Sequence, residues 1–224
     1  MKILCTICAR SGSKGLKGKN MIQLKNKPLI MHTYELAKNI KKIRDIVIST
    51  DSKRIQNLIG VKNCWFKRNK KLSGDRISKI KVIIDAVNKA EKKNNIIYDT
   101  IIDLDVTSPL RTKKDVLDSL SKFVKKNYDN LFSVTNASKN PYFNMVEFKN
   151  NKISLVKSSV NYSSRQVAPI VFSMNASIYI WKRKALFSNK PLFSNKTGIY
   201  VMPKERSFDI DDLIDLKIVK CLSN

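Results

Sequence analysis

Ala9-Arg10-Ser11-Gly12-Ser13-Lys14-Gly15-Leu16-Lys17-Gly18-Lys19-Asn20 is the stretch that decides how this chain reads. It follows an apolar run, Ile3 to Ala9, that reads as a buried strand. It precedes Pro28-Leu29-Ile30-Met31, which reads as a helix start with proline in the first turn. The loop therefore leaves the carboxyl end of a first β-strand, where open α/β sheets hold their ligands. Its glycines let the backbone approach a ligand closely and present N–H groups. Arg10, Lys14, Lys17 and Lys19 add positive charge, which suits a polyanion such as a nucleoside triphosphate. A basic surface turn is the plainer alternative. Two well-known phosphate loops fail on spacing. GxxxxGK[ST] would need glycine at Ser13 and a hydroxyl residue at Asn20, and glycines at 12, 15 and 18 do not make GxGxxG.

Outward from the loop, strands alternate with helices. Pro28 to Ile40 carries apolar residues near helical spacing, Ile46 to Asp51 is a second strand, and Ser52 to Ile55 opens a short helix. Cys64-Trp65-Phe66 reads as a third, short strand. A helix is expected near Ser78 to Lys92, a central strand over Thr100 to Val106, a helix near Lys113 to Lys126 and a strand over Leu131 to Val134. This alternation predicts an α/β fold with a mainly parallel central sheet and helices on both faces. The pattern changes at Pro141. Tyr142 to Phe148 and Lys152 to Val156 read as strands around an Asn150-Asn151 hairpin turn. Such a hairpin is a lid, an oligomer contact or an edge extension. Met174 to Trp181 and Gly198 to Met202 return to buried strands, and Leu213 to Leu222 is a final helix.

A length of 224 residues suits one domain, 1–224. The net charge of +26 raises nucleic-acid binding as a possibility. Lysine doublets such as Lys41-Lys42, Lys70-Lys71 and Lys125-Lys126 are instead spread along the chain at helix ends and loops, the usual solvated faces. The aromatics do not interleave with basic residues as in an RNA platform, so nucleic acid is not the expected partner. No stretch reaches the roughly 20 apolar residues of a membrane span. Cys5 and Cys8 form a CxxC inside a strand, where residues three apart point to opposite faces, so they read as core thiols. Reduced cysteines fit a cytoplasmic protein.

Two further groups carry chemistry. Asp209 and Asp211 are two apart in an extended segment and project from one face. Like charges held together favour a cation between them, and Mg²⁺ takes one or two carboxylates together with phosphate oxygens. The alternative is a helix N-terminus, which suits Asp212 and Asp215 better. Arg111 ends Thr107-Ser108-Pro109-Leu110-Arg111 at a strand's carboxyl end, facing the cleft or pairing with a buried carboxylate. Asp103 and Asp105 share a face of that strand, so one can reach a substrate while the other pairs with a lysine. The lone His32 has no partner for nucleophilic catalysis and reads as structural.

Four segments in order resemble the acylneuraminate cytidylyltransferases, the CMP-sialic acid synthetase family. They are the opening loop, Ile46 to Asp51, Thr107 to Arg111, and Phe208-Asp209-Ile210-Asp211. Arg165-Gln166 and Asn175-Ala176-Ser177-Ile178-Tyr179 are similar to the family's R-Q and N-G-A-I-Y segments. Ser11 departs from the family's paired glycines. The resemblance implies a nucleotide-diphospho-sugar transferase-like fold. It implies that Arg10, Ser13, Lys14, Lys19 and Asn20 hold CTP, that Arg68 and Ser78 border the nucleotide, and that Asp209 and Asp211 hold Mg²⁺. Arg165, Gln166 and Asn175 would lie toward the sugar. Residues 141–170 would be an inserted hairpin reaching the partner of a homodimer. The implied reaction joins CTP to a nine-carbon acidic sugar, with Arg10, Lys14 and Lys19 stabilising the developing charge and Asp211 the candidate for assisting the attacking hydroxyl. Asp105 stands where sialic acid enzymes of the family carry glutamine, which suggests a different acceptor. The strings around Asp105 and Asn140 to Asn144 look most like the members that activate legionaminic acid. The expected acceptor is N,N'-diacetyllegionaminic acid, with N-acetylneuraminate, pseudaminic acid and Kdo as alternatives.

Overall fold

A computed structural model gives the fold; it describes residues 1–12, 15–158, 162–189 and 191–223. The chain begins with β1 (Ile3–Cys8), the short pair β2 (Gln23–Leu24) and β3 (Lys27–Pro28), α1 (Leu29–Lys38), β4 (Asp45–Ser49) and α2 (Lys53–Ile59). It continues with α3 (Lys79–Asn94), β5 (Thr100–Leu104), α4 (Lys113–Lys125) and β6 (Asn130–Asn136). A hairpin of β7 (Val146–Lys149) and β8 (Lys152–Leu155) follows. The chain closes with β9 (Phe172–Lys182), the single turn α5 (Arg183–Leu186), β10 (Thr197–Val201) and α6 (Leu213–Leu222).

The central sheet has the order β10-β6-β9-β5-β1-β4. β1 pairs in parallel with β4 and β5, and β6 with β10, while β9 runs antiparallel between β5 and β6. All strands but β9 thus point their carboxyl ends at one edge. Period-two alternation sends Ile3, Cys5 and Ile7 to one face, where they pack with Leu29, Ile30 and Ala37 of α1, Val116, Leu120 and Phe123 of α4, and Leu216 and Val219 of α6. Leu4 goes to the other face, against Ile83, Ala86, Val87 and Ala90 of α3. Cys5 and Cys8 are accordingly split between the faces, and both are free thiols. With cores on both faces, neither face of the inner strands meets water, which matches their continuous apolar runs.

Helix starts follow from local chemistry. Thr112 and Asp115 form a capping box at α4, and Asp212 and Asp215 form another at α6. Buried Asp115 is also gripped by both ends of the Arg206 guanidinium, at 2.9 and 3.0 Å, which ties α4 to the segment leading toward Asp209. Burial pushes the Asp115 carboxyl up, but Arg206 and Thr112 outweigh burial and hold it below the usual carboxylate range.

The structure departs from the sequence reading at Cys64 to Phe66, which is not a strand. The segment runs beside the edge strand β4 but meets it only around its ends, Ile48 N–H to Asn63 O and Arg68 N–H to Thr50 O. It is fastened by side-chain packing instead of a ladder. The β7–β8 hairpin turns through Asn150 and Asn151, whose φ values of 51° and 56° give the turn whose twist matches antiparallel strands.

β9 carries a strained bulge. Its pairing with β6 slips between Phe132 and Val134, and Ala176 takes the left-handed φ of 53°. Asn175 holds the bulge closed: its Oδ1 accepts from Ser133 Oγ at 2.6 Å, and its Nδ2 donates to Ser207 Oγ at 3.1 Å. An L-residue with a Cβ pays about 1–2 kcal/mol in this region. Ala176→Gly is therefore expected to stabilise the protein by about 1 kcal/mol, raising Tm by about 2–4 °C for a domain of this size. A calorimetric scan showing an unchanged or lower Tm would mean that the bulge carries no such strain.

Candidate active site

The carboxyl ends of β1, β4 and β5 and the segment after β10 surround one cleft of about 420 Å³. Its lining includes Arg10, Lys19, Asn20, Arg68, Lys79, Asp105, Thr107, Asp209 and Asp211. The loop after β1 enters the cleft because it is pinned at both ends. Ser11 donates its N–H and hydroxyl to Asp51 after β4, at 2.7 and 2.8 Å. Asn20 donates to Arg10 O at 2.9 Å, closing the loop on itself. Gly15 passes so close to the acidic segment that a Cβ there would sit 2.2 Å from the Asp211 carbonyl oxygen. Only glycine allows that approach. Lys19 then reaches across to Ile210 O at 3.1 Å and to Asp211 Oδ1 at 2.8 Å. The amino-terminal cations and the carboxy-terminal carboxylates thus meet in one place.

Arg68 is buried, donating to Ser49 Oγ at 3.0 Å and to Ser49 O, so it forms a fixed positive wall. Arg10 pairs with Asp75 on the opposite lip. Ser78 precedes α3 as its N-cap residue, without a side-chain capping bond. Ser13 and Lys14 lie outside the described residues.

The floor of the cleft is an ion cluster built on Lys79, the first residue of α3. Its ammonium lies 2.9 Å from Asp103 Oδ2 and 2.6 Å from Asp105 Oδ2. Asp103 is fully buried and also accepts from Thr6 Oγ1 at 2.6 Å. Asp105 further accepts from the Thr107 N–H and hydroxyl, at 3.1 and 2.9 Å. Burial would raise the Asp105 carboxyl, but Lys79 and Thr107 dominate and hold it well below the usual range. Both strand carboxylates therefore pair with one lysine. Sequence reading missed Lys79, because a lysine in the first turn of a helix looks like any solvated lysine.

Asp209 behaves oppositely. Burial, then the charge of Asp105, push its carboxyl up to about 6, and its Oδ1 is buried without a hydrogen-bond partner among the described residues. Asp211, two residues on, is largely exposed. A buried acid whose charge is disfavoured, beside an exposed carboxylate, is a place where a cation would be stabilised.

Four residues expected toward the sugar do not line this cleft. Arg111 is buried and faces inward. It donates to Ser177 O and Oγ at 2.6 and 3.0 Å, to Thr33 Oγ1 at 3.1 Å and to Asp105 O at 3.0 Å, riveting the end of β5 to α1 and β9. Asn175 is occupied by the β9 bulge, as described above. Arg165 stands exposed with Gln166 on the segment after the hairpin; Gln166 does not line the cleft either.

A family model described as "Cytidylyltransferase" matches residues 4–222. The chain is 42% identical over 223 residues to CMP-N,N'-diacetyllegionaminic acid synthase of Campylobacter jejuni, covering 99% of this chain and 94% of that one. It is 41% identical over 224 residues to post-translational flagellin modification protein B of Campylobacter coli, covering 99% and 94%. The solved structure of CMP:2-keto-3-deoxy-manno-octonic acid synthetase complexed with CTP superposes with a TM-score of 0.69 over 100% of this chain and 98% of that one. At 19% identity that likeness speaks for the fold.

The ion cluster makes a prediction with a sign in pH. Asp105 has its carboxyl depressed, so the stability it contributes is present above about pH 4 and lost as pH falls through its folded value. Lys79→Met would leave two carboxylates facing each other without a cation, which raises both instead. The variant should lose about 3 kcal/mol at pH 7.5, the low end for a broken buried pair because the lysine side chain is one-third exposed. The loss should shrink as pH falls toward 5 and the carboxylates take up protons. Urea denaturation at the two pH values measures this; a difference that stays constant or grows on acidification contradicts the cluster.

Proposed function

The chain belongs to the cytidylyltransferase family, and we propose that it activates a nine-carbon 2-keto acid sugar with CTP, N,N'-diacetyllegionaminic acid before the other nonulosonic acids. The anomeric hydroxyl attacks the α-phosphorus of CTP in line. A new O–P bond forms, the bond to the β-phosphate's bridging oxygen breaks, pyrophosphate leaves and the hydroxyl proton is lost to solvent or to a nearby base. Such transfers need chiefly positioning and charge neutralisation. The observation that carries the reading is the meeting of Lys19 with the Asp209–Asp211 segment in one cleft. The acceptor follows from the likeness to the legionaminic acid synthase.

Within this reading, Arg10, Lys14, Lys19 and the fixed guanidinium of Arg68 hold the triphosphate, with Ser13, Asn20 and Ser78 beside the nucleotide. Asp209 and Asp211 fit a divalent cation, Mg²⁺ being the natural choice with phosphate: they are two apart, and the Asp209 Oδ1 has no hydrogen-bond partner among the described residues. Mg²⁺ bound there would neutralise phosphate charge as it develops. Asp211 is the nearest candidate to assist the attacking hydroxyl. Arg165 and Gln166 belong to the acceptor side, while Arg111 and Asn175 act by holding strand ends and the acidic segment in place.

The reading also includes a homodimer. Val146, Phe148 and Ile153 on the hairpin, with Val167 and Ile170 on the return, are exposed apolar side chains clustered in sequence on one extension. A concentration of such residues marks an interaction surface, here for a second copy. Light scattering should give twice the chain mass, and Phe148→Glu with Ile153→Lys should reduce it to one. A monomeric wild type at micromolar concentration contradicts the dimer.

The test of function is pyrophosphate release from CTP with a panel of N,N'-diacetyllegionaminic acid, N-acetylneuraminate, pseudaminic acid and Kdo, with products identified by mass. The first should give the highest kcat/KM. Asp211→Ala should lower kcat by on the order of 10² or more, by analogy with removing one electrostatic stabiliser. Near-wild-type turnover of that variant at saturating Mg²⁺ removes Asp211 from the reaction. No turnover with any acid, together with salt-sensitive DNA or RNA binding, would point instead to a basic nucleic-acid-binding protein.

A further inference from the structure

We propose, on the footing of cytidylyl transfer to an acidic sugar, that Lys79 selects the acceptor, its ammonium held on Asp103 and Asp105 so that the remaining proton meets a neutral oxygen of the sugar. Among the described residues, the ammonium has two carboxylate partners, Asp103 Oδ2 and Asp105 Oδ2. The ring of Tyr179 lies 5.6 Å from it and closes another side. An ammonium has three protons: one is donated to Asp105 Oδ2, and at least one of the others is left without a protein acceptor among the described residues. Asp103 Oδ2 holds the ammonium by charge at 2.9 Å, without a directed hydrogen bond among the described residues. Lys79 lines the cleft together with Asp105, Thr107 and Asp209.

Charge decides which substrate this cluster meets. Two carboxylates and one ammonium sum to minus one, and the buried Arg111 guanidinium behind Asp105 balances that charge. A balanced cluster offers a triphosphate no net attraction, so its natural partners are Arg10, Lys19 and Arg68 across the cleft. The same cluster tolerates a neutral hydroxyl or acetamido oxygen, which needs one donor and no charge. It gives the acceptor's carboxylate no excess positive charge to bind, leaving that group to cations elsewhere. Asp105 lies close enough to Asp209 for its charge to act on that carboxyl, so the cluster borders the segment proposed to hold the metal. The aspartate at 105 is therefore not a free acid facing the sugar. Its oxygens are occupied by Lys79 and Thr107, and it acts by aiming the lysine.

Removing Lys79 alone would unbalance buried charge, so the test uses Lys79→Gln with Asp105→Asn, which removes one charge of each sign and leaves the net charge of the cluster unchanged. Initial rates of pyrophosphate release are measured with N,N'-diacetyllegionaminic acid and with N-acetylneuraminate, and CTP binding is measured by calorimetry. The double variant should hold the CTP Kd within about threefold. Its kcat/KM for the preferred acid should fall by about 10²-fold, and the preference between the two acids should shift at least tenfold, as expected when a site loses a buried donor aimed at substrate. Lys79→Arg should keep part of the activity by supplying a donor. An unchanged preference, or a CTP Kd weakened as much as the acceptor term, overturns the role of Lys79. A wild type that turns over no acid of the panel withdraws cytidylyl transfer itself, and this role with it.

Discussion

The backbone of Gly15 and the carbonyl of Asp211 come so close that no side chain fits between them. That contact joins residues near the two ends of the chain. It exists because the parallel strands, all of the central sheet but β9, leave at one edge, so the loop after β1 and the segment after β10 open onto the same cleft. Lys19 fastens the contact by reaching both Ile210 and Asp211. Cations from one end of the sequence and carboxylates from the other thereby line a single cleft.

The surrounding residues hold that geometry at some cost to local stability. Arg111 spends a buried guanidinium on four oxygens to fix the end of β5. Asn175, beside the left-handed Ala176 of the β9 bulge, donates to Ser207, just ahead of Asp209. Asp115 and Arg206 anchor the same segment from the other side. Asp209 itself keeps a buried oxygen without a hydrogen-bond partner among the described residues. A segment braced from three directions around one unsatisfied acid is how a protein stores binding capacity in place of stability.

Much of this was legible in the sequence. The alternating apolar runs gave the strands and helices, and the loop and the Asp209–Asp211 pair announced chemistry by residue type. The rest was hidden for specific reasons. The reversed direction of β9 leaves no mark, since a buried strand reads alike in either sense. Arg111 looks cleft-facing from its place at a strand end, and only Thr33 and Ser177, distant in sequence, turn it inward. Asp105 reads as a free acid until Lys79, twenty-six positions earlier, is placed beside it. The apparent strand at Cys64 to Phe66 has the right residues but too few backbone partners.

The most direct measurement is a crystal structure of the protein soaked with CTP and Mg²⁺. The account expects the triphosphate to lie between Lys19 and the Asp209–Asp211 carboxylates, with Arg68 at its flank. A nucleotide seated elsewhere, for instance in the larger hollow formed by Met1, Asp99, Lys182 and Phe187 at the opposite end of the strands, with the cleft empty, would contradict it.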